Sequence, residues 1–166
     1  MKIEKAIPQD SQKLTELTIR SKTHWGYSDQ QIEIWRDDLT ISESYIYNRE
    51  VYKLKIEDNI IGYYSYYHMN SLEVKLENLF IEPEFIGRGY GKLLMSDFLM
   101  RIQRTESNRI ILEADPNAEY FYLKLGFNVI GKIETSIKNR FLPIMEMKLS
   151  HLAKPTKDHG RKNHNS

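Results

Sequence analysis

The chain has 166 residues, no cysteine, and 24 Lys and Arg against 23 Asp and Glu. That length suits one domain, able to bury about two-thirds of its unfolded surface without a disulfide or metal staple. The even charge balance argues against the basic field of a nucleic-acid or anionic-lipid binder, and the missing thiols exclude disulfide frameworks, thiolate zinc sites and cysteine nucleophiles.

The opening Met1–Lys5 lacks the apolar core of a signal peptide, and no apolar run approaches a membrane span. The expectation is a soluble, cytoplasmic domain that binds neither nucleic acid nor membrane. Lys2–Ile7 is a strand candidate before Pro8. Asp10 or Ser11 caps a following helix with Leu14 and Leu17 on its apolar stripe. Ser28 opens a second helix carrying Ile32, Trp35 and Leu39 at helical spacing. Between them, Ser21–Tyr27 reads as a connection, though loops rarely carry Trp and Tyr beside Gly.

The middle of the chain alternates. Val51–Glu57 and Ile60–His68 form a hairpin around Asp58-Asn59, and Leu72–Ile81 is a third strand stopped by Pro83. Tyr63, Tyr64, Tyr66 and Tyr67 crowd the second arm, where neighbours face opposite sides; they read as core with a substrate role open to one pair. Leu94, Met95, Phe98, Leu99 and Ile102 then recur at helical spacing. Arg109–Glu113 is a short strand, and Ala118, Phe121, Tyr122 and Leu125 mark another helix, stopped at Gly126. Phe127–Ile133 and Phe141–Leu149 are the last strands. The order β-α-α-β-β-β-α-β-α-β-β describes an α/β (α+β) fold, a mixed central sheet flanked by about four helices. From His151 onward the chain is basic and polar, leaving a net charge of −2 over residues 1–150. Burial in such a segment does not offset its ordering entropy, so the domain is expected to span 1–149 with a polar tail over 150–166.

One segment carries chemistry. In Ile86-Gly87-Arg88-Gly89-Tyr90-Gly91-Lys92, a strand has just ended at a proline, three glycines alternate with other residues, and a helix begins. Glycines let the backbone approach a ligand, and the helix start adds unpaired N–H groups and a positive dipole end. Together they suit an anion such as pyrophosphate, with Arg88 and Lys92 at the rim. Alone, the same glycines also fit a tight structural turn. The pattern is not a Walker loop, since no Gly-Lys-Ser/Thr follows in register.

A second segment is Asp115-Pro116-Asn117-Ala118-Glu119-Tyr120-Phe121-Tyr122-Leu123-Lys124-Leu125-Gly126-Phe127. With both segments in hand, the chain resembles the GNAT superfamily of acetyl-CoA-dependent N-acetyltransferases. Ile86–Gly91 is similar to that family's pyrophosphate motif, Q/R-x-x-G-x-G/A. The second segment is similar to its N-x-x-A-x-x-F-Y-x-K-x-G-F signature, with Ala118, Phe121, Tyr122, Lys124, Gly126 and Phe127 in register. Two departures stand out: Ile86 replaces the usual Gln or Arg, and Asp115 the usual Asn, with Asn117 two residues on.

The resemblance implies a GNAT fold over residues 1–149 and acetyl transfer from acetyl-CoA, as cosubstrate, to a primary amine of a small molecule or peptide. It implies cofactor contacts by Leu79, Phe80, Ile81, Ile86, Gly87, Arg88, Gly89, Tyr90, Gly91, Lys92, Asp115, Asn117, Phe121 and Tyr122. Phe121 also reads as core from its helical spacing. The backbone near Leu79–Ile81 would supply the oxyanion donor, and Tyr122 the proton or hydrogen bond to the leaving thiolate. A lysine-type amine has a pKa near about 10.4, so a base must take its proton. Glu77 is the first candidate, with Glu113 or ordered water as alternatives. His24, Trp25 and Tyr27 are candidates for the acceptor pocket; Trp25 packing beneath the second helix is the competing reading. No clustered His or carboxylate set has metal-ligand spacing, so no metal is expected. A homodimer through the last strands is a further expectation. A binding module of the same fold without turnover, a longer acyl donor, and the acceptor itself (aminoglycoside, polyamine, amino acid or protein N-terminus) stay open.

Overall fold

The computed structural model describes residues 1–150, and the tail from His151 lies outside them. After β1 (Lys2–Lys5) come four helices, α1 (Ser11–His24), α2 (Asp29–Ile34), α3 (Arg36–Leu39) and α4 (Glu43–Asn48). Three strands follow, β2 (Glu50–Ile56), β3 (Asn59–His68) and β4 (Glu73–Ile81). Then α5 (Tyr90–Gln103), β5 (Arg109–Glu113), α6 (Glu119–Lys124), β6 (Asn128–Glu134) and β7 (Phe141–Lys148) complete the order. The strands form one mixed sheet, β1-β2-β3-β4-β5-β7-β6, in which only β4 and β5 pair in parallel. This is the expected α/β architecture.

Strand alternation gives the sheet two buried faces. Tyr64, Tyr66, Val74 and Leu76 meet Leu94, Met95, Phe98 and Ile102 of α5 on one side. Tyr63 and Val51 meet Leu14 and Leu17 of α1 and Ile46 of α4 on the other. Truncating Phe98, which is fully buried, is expected to cost about 3–5 kcal/mol through the cavity it leaves. Tyr63, Tyr64 and Tyr66 are therefore core, while Tyr67 is half-buried under the Arg49 guanidinium, 4.5 Å from its ring.

Four local readings are corrected. The second helix is not continuous: the backbone opens at Trp35 (φ −88°, ψ 0°), which separates α2 from α3. Ile32 and Leu39 are still buried, so the apolar spacing survives the break. The short α4 was hidden from periodicity by its single buried residue, Ile46; Ser42 caps it by accepting from the Tyr45 N–H at 3.0 Å. Asp10 does not cap α1. Its carboxylate accepts instead from the Ile7 N–H (2.9 Å) and from Lys53 Nζ (2.6 Å), closing the turn at Pro8–Asp10. Finally, α1 runs on to His24, so Ser21–His24 of the expected Ser21–Tyr27 connection is helix.

Two irregularities in β4 create the feature that matters. Ser65 pairs with Asn78 and Tyr66 with Leu76, so Glu77 is an extra residue, a β-bulge. The parallel pairing with β5 also stops at Leu76↔Leu112. Beyond that point β4 stays with β3 while β5 stays with β7, and the sheet splits into a cleft.

Candidate active site

The cleft is lined on one side by backbone. Glu82 N–H bonds the Ile61 carbonyl at 2.8 Å, so by antiparallel alternation Phe80 also points its N–H at β3. The N–H groups of Leu79 and Ile81 then face away from β3, into the cleft. The Phe80 side chain packs on the α1 face near Tyr63, while Leu79 and Ile81 pack on the α5 face.

At the start of α5, Gly87 and Gly89 hold φ of +79° and +89°, a left-handed conformation that a β-branched residue adopts only under strain. Among the described residues, the N–H groups from Gly87 to Lys92 donate to no protein acceptor; the first bonded amide is Leu93, to the Gly89 carbonyl at 3.1 Å. A glycine-turned loop and a helix start thus present a run of free donors suited to an anion. Ile86 packs half-buried against the core, and the Arg88 guanidinium lies over the Phe85 ring at 5.4 Å. Lys92 is exposed. A Cβ on Gly91 would stand 3.4 Å from the Phe121 ring, so Phe121 packs against the loop as well as the core.

Tyr122 comes into the same region from α6. Its side chain is 7% exposed, with the ring edge-on to Phe121 (5.1 Å) and Phe127 (5.7 Å). Its hydroxyl has no protein hydrogen-bond partner among the described residues and is not sealed from solvent, so it is open to a ligand or water. Burial, and then the negative charge of Asp115, raise its pKa, so the hydroxyl stays protonated near neutral pH.

The carboxylates stand apart from one another. Glu77 accepts from the Tyr45 hydroxyl (2.5 Å) and Arg49 Nε (3.1 Å), because the bulge turns Glu77 and Asn78 to the same face, toward α4. Burial and the bond to Glu77 raise the Tyr45 pKa, so Tyr45 is the donor in that pair. Glu113 is exposed and pairs with Lys75 Nζ at 3.2 Å.

Asp115 is the centre of a third group. It caps the turn at Pro116–Ala118 by accepting from the Asn117 N–H (2.9 Å). It also accepts from Lys22 Nζ (2.5 Å), the Tyr27 hydroxyl (3.1 Å), Arg140 Nη2 (3.3 Å) and Asn117 Nδ2 (2.9 Å). Burial acts to raise its pKa, but the Lys22 bond and charge with the other donors outweigh it and hold the carboxylate below its ordinary range. Since α1 lies over β3 and β4, the Lys22–Asp115 pair joins α1 to the end of β5.

Of the residues chosen from sequence for acceptor binding, Tyr27 joins this group and the other two do not. His24 and Trp25 sit at the exposed end of α1 and touch each other edge-on at 5.3 Å; Trp25 is 43% exposed. Tyr27 instead has Trp35 beside it, edge-on with ring centres 4.8 Å apart. Lys22, Tyr45, Arg49 and Arg140 escaped the sequence reading, since none stands in a motif, and Trp35 was read only as an apolar helix position. The one available signal was the Asp at position 115, a carboxylate in need of a cation. A separate groove of about 740 Å³ lies between α1, the β2–β3 turn and Pro83–Phe85, but none of Tyr122, Glu77 or Asp115 lines it. Among the described residues no three His, Asp or Glu side chains are grouped to hold a metal, and no helix is long and apolar enough to cross a membrane.

A mixed sheet split after a β-bulge, with a free-amide loop at one side of the split, defines the acyl-CoA-dependent N-acetyltransferase class of fold. The chain belongs to the GNAT acetyltransferase family: the model of the acetyltransferase (GNAT) domain matches residues 25–150. It is 29% identical over 89 residues to the uncharacterized N-acetyltransferase ycf52 of Gracilaria tenuistipitata var. liui, covering 54% of this chain and 49% of the relative. It is 31% identical over 72 residues to the peptidyl-lysine N-acetyltransferase YjaB of Salmonella typhimurium, covering 43% and 48%. The matched region thus spans about half the length of these curated relatives. The PaiA N-acetyltransferase of Thermoplasma acidophilum, solved with coenzyme A, has the same fold, with a TM-score of 0.76 at 21% identity over 89% of this chain and 98% of that one. YncA of Salmonella typhimurium, solved with acetyl-CoA, gives 0.65 at 20% identity over 95% and 98%.

Proposed function

We propose that the chain transfers an acetyl group from acetyl-CoA to the primary amine of a small molecule or peptide by direct attack through a tetrahedral intermediate. The observation that carries this reading is the Tyr122 hydroxyl: protonated, without a protein partner and carried on a largely buried ring, beside a loop of free amides and a split sheet. The relatives solved with coenzyme A and acetyl-CoA support the choice of donor.

The amides of Gly87–Lys92 suit the pyrophosphate, and those of Leu79 and Ile81 suit the thioester arm and the developing oxyanion, where a fixed donor is worth roughly 10²–10³ in rate. Bound acetyl-CoA supplies the activated acyl group. Tyr122 acts on the departing sulfur. A thiol pKa is about 8.5, below that of an ordinary tyrosine, and burial raises the Tyr122 pKa further, so full proton transfer to the thiolate runs uphill. Tyr122 therefore stabilises the thiolate chiefly by hydrogen bonding. Glu77, on the bulge, is the base we assign, held in place by Tyr45 and Arg49 and taking the amine proton directly or through water.

Calorimetric titration with acetyl-CoA and an acetylation assay on Tyr122→Phe test the reading together. Micromolar binding with a large loss of kcat is expected. Binding with an unchanged rate would remove the role assigned to Tyr122. Binding without transfer to any amine would leave a non-catalytic acyl-CoA module.

A further inference from the structure

The ionic groups between α1, α4 and the strand ends on the α1 side of the sheet differ in balance. Glu77 with Arg49 and Glu113 with Lys75 are one-to-one pairs. The group around Asp115 is not: Lys22 and Arg140 share one carboxylate. All three side chains are largely buried, with 14%, 15% and 17% exposure for Lys22, Arg140 and Asp115.

Two features leave the surplus charge usable. The cations are steadied by aromatic faces: Lys22 Nζ lies 5.3 Å from the Tyr27 ring centre and 5.4 Å from that of Trp35. Arg140 Cζ lies 5.3 Å and 5.1 Å from the same rings. Such contacts hold a cation without consuming its N–H donors. Lys22 spends one hydrogen bond, on Asp115, and Arg140 uses only Nη2 among the described residues, leaving Nε and Nη1. Asp115, by contrast, is saturated, with donors from Lys22, Tyr27, Arg140 and Asn117 on its two oxygens. It has no capacity left for an incoming ammonium.

We infer that this group selects an acceptor whose amine sits beside a carboxylate, read by Lys22 and the free edge of Arg140 between the Tyr27 and Trp35 rings. An arginine edge and a carboxylate match two N–H donors to two oxygens. The same surplus charge disfavours linear polyamines, whose remaining ammonium groups meet Lys22 and Arg140 with like sign. Tyr27 and Asp115 are positioning residues, since they act through the two cations. The inference rests on the transferase reading for the word acceptor, but the binding it describes does not depend on turnover.

The test compares matched ligands on the unmodified protein: an L-amino acid, its carboxamide, and spermidine. With acetyl-CoA and detection of released thiol, kcat/KM for the acid is expected to exceed that for the amide and for spermidine by at least roughly tenfold. Arg140→Gln and Lys22→Met should each bring the acid-to-amide ratio below about threefold, with acetyl-CoA affinity unchanged. Calorimetry of acid and amide on the coenzyme A complex gives a second readout. Tight binding of the acid without turnover would overturn the transferase reading and keep this one. Equal or better use of amide or spermidine, or no binding of the acid, overturns this inference whatever the variants do.

Discussion

The two sides of the cleft are built from different material. On the α5 side, Gly87–Lys92 offers backbone amides, aimed by two left-handed glycines and a helix start. On the α1 side, Lys22, Tyr27, Trp35, Asp115 and Arg140 are brought together from α1, the segments on either side of α2, the end of β5 and the segment before β7. Backbone recognition depends on local conformation and little on side-chain identity, which is why Ile86 in place of Gln or Arg leaves the loop intact. Side-chain recognition is free to differ from one member of a family to the next, which is why we place acceptor choice there.

That contrast is sharpest at Gly89. A Cβ there would meet nothing within 4 Å, so Gly89→Val acts through the backbone and not through a clash. Losing two or so charge-assisted bonds, acetyl-CoA affinity is expected to fall roughly 10³-fold by calorimetry. Retained affinity would break the donor half of the comparison. Tyr122→Phe should lower kcat about 10²-fold with little change in the acetyl-CoA KM. Since the lost hydroxyl has no protein partner, the melting temperature should hardly move.

Glu77→Gln is expected to cost about tenfold in kcat/KM near neutral pH, while Glu113→Gln should leave it unchanged. The reverse result would exchange the two assignments. Asp115→Asn should lower stability at pH 7 by on the order of 1–2 kcal/mol, read by thermal melting. The Asp115 pKa is held below its ordinary 3.8, so the folded state binds fewer protons than the unfolded one. Its contribution is complete above about pH 5 and disappears as the pH falls through the lowered value, so wild type and variant should converge in acid. The smallest effect is expected from Gly91→Ala. Gly91 lacks a positive φ and its Cβ would make an ordinary 3.4 Å contact with Phe121, so acetyl-CoA affinity should stay within about threefold.

The sequence by itself determined what is local. Alternation and helical spacing marked the strands β2 to β5 and β7 and the long helix α5, because burial imposes those periods, whereas the edge strand β6 is exposed along its length. Contiguous motifs marked the loop at Gly87–Gly91 and the Phe121-Tyr122 pair, because each is shaped by its own neighbours in the chain. Tertiary structure decided the rest. The bulge at Glu77 and the parting of β4 from β5 depend on three strands at once. Tyr45 and Arg49 reach Glu77 from 32 and 28 residues away, and Arg140 reaches Tyr27 across 113. No period or spacing encodes such meetings, since a side-chain cluster needs only that its members converge in space.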